Sequence, residues 1–106
     1  MTTDPKKNLR QALALAIKTI RKSRNLTQED FGLVSSRTYL STLERGLKSP
    51  TLDKLDEIAK TMGVHPAALV LLAYAALEEN TGDQFSLLKQ INEETKNLIL
   101  LLATRD

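Results

Sequence analysis

With one histidine, no cysteine and no clustered acids, this sequence has few groups for covalent or metal chemistry. His65 stands directly before Pro66, where an imidazole serves as a helix cap or a surface group, and no second histidine exists to share a metal with it. The acid pairs Asp56-Glu57, Glu78-Glu79 and Glu93-Glu94 are sequence neighbours on expected helices, so their side chains diverge and form no catalytic dyad. Gly32, Gly46, Gly63 and Gly82 are too scattered to cradle a phosphate. Without cysteine there is no thiol nucleophile, disulfide or thiolate zinc site. The expectation is a chain that is not an enzyme and takes no metal and no cofactor.

What remains is electrostatic. The net charge is only +2, yet residues 1–50 carry 10 Lys/Arg against 4 Asp/Glu and residues 51–106 carry 5 against 9, so the halves stand at +6 and −4. A basic half invites a polyanion, and the acidic half limits indiscriminate adhesion. Two Phe, two Tyr and no Trp make a poor stacking platform for single strands, which leaves duplex DNA as the better polyanion. At 106 residues, 42% apolar and 26% charged, the chain has the size and composition of one folded domain. The start MTTDPKKNLR has no secretory leader, and the longest apolar run, Ala67 to Leu77, falls short of the roughly 20 residues that span a bilayer. A cytoplasmic chain without membrane contact is expected.

Positioning such charges requires helices. Asp4-Pro5 reads as a helix start, and Leu9, Leu13, Ile17 and Ile20, with Ala12 and Ala16, recur at three- and four-residue steps, predicting a first helix over 5–24. Thr27, with Asp30 at capping-box spacing, opens a short second helix over 28–34. Ser35-Ser36 caps a third over 37–45, with Tyr39, Leu40 and Leu43 on its apolar side and Gly46 at its end. Thr51 caps a fourth that turns Leu52, Leu55, Ile58 and Met62 inward before Gly63. His65-Pro66 opens a fifth, apolar all round from Ala67 to Leu77. Asn80-Thr81-Gly82 breaks it, and Asp83 caps a last helix over 83–104 in which Phe85, Leu88, Ile91, Thr95, Leu98 and Leu102 step by three and four. No alternating period-two run appears, so the fold is expected to be all-α.

Two short helices joined by a tight polar turn in the basic half match a helix-turn-helix, whose second helix enters the major groove. The residues resemble the phage-repressor type (Cro/cI-like, XRE) helix-turn-helix family. Leu26-Thr27-Gln28-Glu29-Asp30-Phe31 is similar to its LTQEELA segment, and Tyr39-Leu40-Ser41-Thr42-Leu43-Glu44-Arg45-Gly46 to its YISRIERG. Ser49-Pro50-Thr51-Leu52, Leu55, Ile58-Ala59 and Met62-Gly63-Val64 are similar to its PSLETLLKIAKALGV, so the likeness covers about residues 10–72. It implies a five-helix lambda-repressor-like DNA-binding domain, here with an additional C-terminal helix. Between Gln28 and Glu44 the chain is two residues shorter than the family pattern and lacks its usual turn glycine, so the turn Val34-Ser35-Ser36 must be tighter and the helix before it about half a turn short.

Carried over position by position, the resemblance implies that Gln28 clamps the DNA backbone and Ser36 caps the recognition helix. Arg37, Thr38 and Thr42 become base readers, with Ser41 beside them and Tyr39 against sugar or phosphate. Arginine can hold guanine O6 and N7 together, and a threonine methyl can pack on thymine. Lys48, Ser49 and Thr51 match the loop that touches the next phosphates, contacts that set register without reading sequence. Glu44 matches the acid that pairs with an arginine of the first helix, here Arg21. The last 25 or so residues outside the family domain are already used as one helix, so no small-molecule pocket is expected.

The apolar stretch 67–77 and the stripe of 83–104 exceed what one small domain can bury, which predicts a symmetric homodimer through Leu88, Ile91, Leu98 and Leu102. Residues 5–79 are then the DNA-binding domain and 83–104 a dimerisation element. Two recognition helices about 34 Å apart would read a palindrome, as a transcriptional regulator does. The alternative is a protein-interaction module, such as an antitoxin or co-regulator, with secondary DNA binding.

Overall fold

The computed structural model describes residues 8–104, and among them there are five α-helices, one 3-10 turn and no strand. The helices are α1 (Leu9–Ser23), α2 (Arg37–Glu44), α3 (Leu52–Thr61), α4 (Pro66–Ala75) and α5 (Thr81–Ala103), with the 3-10 turn at Gln28–Phe31 between α1 and α2. No single helix among the described residues is long and apolar enough to cross a membrane.

Helix α1 begins later than its sequence suggests, because Asn8 takes the capping role: its side chain accepts the Gln11 N–H at 2.9 Å. Asp4-Pro5 lies outside the described residues. Small Ala12 and Ala16, with Ile17, let α1 pack closely on α4, whose Leu69 and Ala73 are buried against it. Leu13 and Ile20 pack at the edge of this core, while Leu9 at the start of the stripe is 41% exposed. Phe31, Leu40, Leu43, Leu55, Ile58 and Met62 complete the core, so α2 and α3 are held by the same apolar mass as α1. Leu52 departs from its expected inward role at 82% exposure, since the first position of α3 lies beyond the elements that cover Leu55 and Ile58.

The helix expected over 28–34 is a single 3-10 turn. Asp30 Oδ2 accepts from Thr27 N at 2.6 Å and from Thr27 Oγ1 at 3.1 Å, which fixes the entry. Fully buried Phe31 anchors the turn, and its carbonyl accepts both Val34 N at 2.9 Å and Ser35 N at 2.8 Å. The chain must then reach the Ser36 cap, and with two residues fewer it has no length for a regular helical repeat.

The C-terminal break is also corrected. Asn80, rather than Asp83, is the cap: its Oδ1 accepts Asp83 N at 2.9 Å and its Nδ2 donates to Asp83 Oδ2 at 3.0 Å. Helix α5 therefore starts at Thr81 and takes Gly82 into its first turn. It packs chiefly on α4 and contains no buried residue.

Candidate nucleic-acid interface

Helix α2 is short and needs support from outside itself. Ser36 Oγ accepts the Tyr39 N–H at 3.0 Å and closes its N-terminus. Leu40 and Leu43 sink into the core and Tyr39 packs half-buried at its edge. At the far end, Gly46 adopts φ 73°, and a Cβ there would stand 3.3 Å from Gln11 Cγ. The left-handed conformation and the close approach to α1 both call for glycine.

A polar network then locks α2 in orientation. Glu44 accepts from Arg21 Nε at 2.6 Å and Nη2 at 2.9 Å, a two-pronged pair with side chains only 10% and 4% exposed. Arg21 Nη1 donates to the Leu26 carbonyl at 2.9 Å, and Gln28 Nε2 donates to Glu44 Oε1 at 3.1 Å. Three segments thus share one buried charge pair: α1, the 3-10 turn and α2. The Glu44 hydrogen bond raises the Arg21 pKa above its ordinary value, against the opposing effect of burial.

What this mounting leaves outward is the leading end of α2. Ser36, Arg37 and Thr38 are exposed, and Ser41 and Thr42 are half-buried. The Thr42 hydroxyl donates to the Thr38 carbonyl at 2.8 Å. Half-buried Gln28 is held by its bond to Glu44, the last residue of α2, at the opposite end of the helix from Arg37. Lys48 and Ser49 are exposed beyond Gly46, past the other end of α2, and Thr51 Oγ1 caps α3 by accepting Lys54 N at 3.1 Å. The arrangement can do what a polar helix end with exposed donors does, which is to enter a groove and hydrogen-bond base edges while the neighbouring loop meets phosphate. Leu88, Leu98 and Leu102 are exposed and Ile91 half-buried on α5, apart from this face.

Sequence reasoning missed two residues here. Glu29 Oε2 stands 3.2 Å from Arg37 Nη1, so the foremost arginine already has a partner. Lys54 Nζ donates to the Val34 carbonyl and, at 3.1 Å, to Glu57 Oε1, tying α3 to the tight turn before α2. The Glu29–Arg37 and Lys54–Val34 contacts each join different segments, eight and 20 residues apart, and no helical spacing signals them.

The helix-turn-helix family profile matches residues 17–69, which covers α1 from Ile17 through the leading part of α4. The immunity repressor protein of Bacillus phage phi105 is 33% identical over 88 residues, 77% of this chain and 61% of that protein, so the chain spans less than two thirds of that relative. Control protein C.BamHI of Bacillus amyloliquefaciens is 35% identical over 66 residues, 59% of this chain and 82% of that protein. Among solved structures, the clp gene regulator ClgR from C. glutamicum superposes with a TM-score of 0.65 at 27% identity, covering 72% of this chain and 100% of that one. Half the chain matches the family profile, and the matched half is the part that mounts α2 on Arg21 and Glu44, so the chain belongs to the XRE-type helix-turn-helix family of DNA-binding transcriptional regulators.

Proposed function

We propose that this chain is a sequence-specific regulator that binds a palindromic operator in duplex DNA as a homodimer in the cytoplasm. The observation that carries the reading is the exposed end of α2, capped by Ser36 and held through the buried Arg21–Glu44 pair. Arg37, Thr38 and Thr42 read bases, with Ser41 and Tyr39 alongside. Gln28, whose amide nitrogen keeps a second N–H beyond the one given to Glu44, meets the phosphate preceding them. Lys48, Ser49 and Thr51 meet the following phosphates. The names of the relatives, an immunity repressor and a control protein, support a regulatory role without a catalysed reaction. Residues 5–79 form the DNA-binding domain, and 83–104 join two copies through Leu88, Ile91, Leu98 and Leu102.

Selection of bound fragments from random duplex DNA, followed by titration at several salt concentrations, tests the reading. A palindromic winner, bound far more tightly than random duplex and weakened by Arg37→Ala, is the expected result. Absence of enrichment, with binding that vanishes in modest salt, would refute it.

A second reading, a protein-interaction module such as an antitoxin or co-regulator with secondary DNA binding, is favoured by α5, which buries no residue and exposes Phe85 and every position from Leu98 to Leu102. Leu98→Asp with Leu102→Asp separates the two readings. A dimeric regulator loses operator affinity and sediments as a monomer, whereas a partner module keeps its DNA binding and loses its partner.

A further inference from the structure

We infer that Glu29 is a positioning residue that makes Arg37 selective for a base rather than for the DNA backbone. The inference rests on the reading of Arg37 as a base reader. Glu29 belongs to the 3-10 turn and Arg37 opens α2, so the contact crosses the helix-turn-helix at its leading edge. Both side chains are largely exposed, 71% and 68%, yet the carboxylate lies 3.2 Å from the guanidinium. Neighbouring Asp30 spends its carboxylate on Thr27, whereas the Glu29 carboxylate bonds only Arg37 among the described residues.

An unpaired arginine at the front of a basic surface would bind any phosphate it met. Here a phosphate that takes the free edge of Arg37 comes close to the Glu29 carboxylate, and the like-charge repulsion raises the free energy of every nonspecific encounter. The outcome at guanine differs, because O6 and N7 are neutral acceptors. The guanidinium can hold them with one edge and keep Glu29 on another without that repulsion. The same acid therefore weakens random binding more than cognate binding, and it holds the arginine fork in place for its base.

The test measures affinity of Glu29→Gln, Arg37→Ala and the double variant for the selected operator and for random duplex, across a salt series. Glu79→Gln, an equal charge change in the segment between α4 and α5, serves as the control. Glu29→Gln should tighten random binding about three- to fivefold, the scale of one exposed ion pair, and steepen its salt slope by about one. Operator affinity should change less, so the specificity ratio falls about threefold or more, and the fall should vanish when Arg37 is already alanine. If Glu29→Gln changes operator and random duplex equally, or only as Glu79→Gln does, Glu29 is general surface charge and the inference fails while the reading of Arg37 stands. If Arg37→Ala leaves base preference untouched, that reading fails and the inference falls with it. A fall in specificity that persists in the Arg37→Ala background would also overturn it, by showing that Glu29 acts elsewhere.

Discussion

Removing the Glu44 carboxylate should be among the most damaging changes on the polar side of this fold. In Glu44→Ala, Arg21 keeps its bond to the Leu26 carbonyl but loses both prongs of its ion pair while remaining largely shielded from water. Stranding a buried charge costs about 3–5 kcal/mol, and the surviving Leu26 bond places this case near 3. For a chain of this size that corresponds to a fall in Tm of about 12–24 °C. Urea denaturation followed by far-UV circular dichroism, at one fixed protein concentration, measures it. A double variant, Arg21→Met with Glu44→Leu, should recover most of the loss, since apolar side chains can replace a buried pair with little penalty. Arg21 has a folded pKa raised above its ordinary value, so its contribution is fully present below that value and disappears only above it. No step from Arg21 should therefore appear in the stability profile across neutral pH. A loss below about 1 kcal/mol in Glu44→Ala would place the pair with ordinary surface salt bridges and refute the argument.

Gly46→Ala should cost about 2 kcal/mol and Gly63→Ala about 1, because both glycines have positive φ but only Gly46 is crowded, by Gln11. Equal losses in thermal unfolding would show that the approach to Gln11 contributes nothing. Lys54→Met should lose about 1–2 kcal/mol by leaving the Val34 carbonyl without its partner, whereas Glu57→Gln, which touches only the exposed half of the contact, should lose less than about 0.5. Asn80→Ala should cost about 1 kcal/mol and speed amide exchange in the first turn of α5, with Asp83→Ala milder; the reverse order would make Asp83 the cap.

Much of the architecture was legible because its causes are local. A hydroxyl one residue before an apolar-periodic run favours a cap, and Ser36 and Thr51, with His65 in the same position, each bond a backbone N–H of the helix they open. Periodicity likewise named Ala12, Ala16 and Ile17, Leu40 and Leu43, and Leu55, Ile58 and Met62, which all reach the core. The misses fall where two local solutions compete. Asn80 and Asp83 both suit a cap, and only the backbone path chose Asn80, with Gly82 carried inside the helix. Thr27 and Asp30 promised a helix start equally well for an α-helix or for the 3-10 turn that formed.

The sequence by itself determined the all-helical class, the order of the helices and the family, because those follow from side-chain periodicity, caps and motif residues read along one chain. Apart from the Arg21–Glu44 pair, which the family resemblance implied, only the tertiary structure decided which polar groups meet. Glu29 reaches Arg37, Lys54 reaches the Val34 carbonyl, and Gln28 joins Arg21 on Glu44, each across segments whose separation in sequence holds no record of their distance in space. The tight turn that brings Glu29 to Arg37 was set by Phe31, whose burial fixed where the 3-10 turn must end and α2 begin.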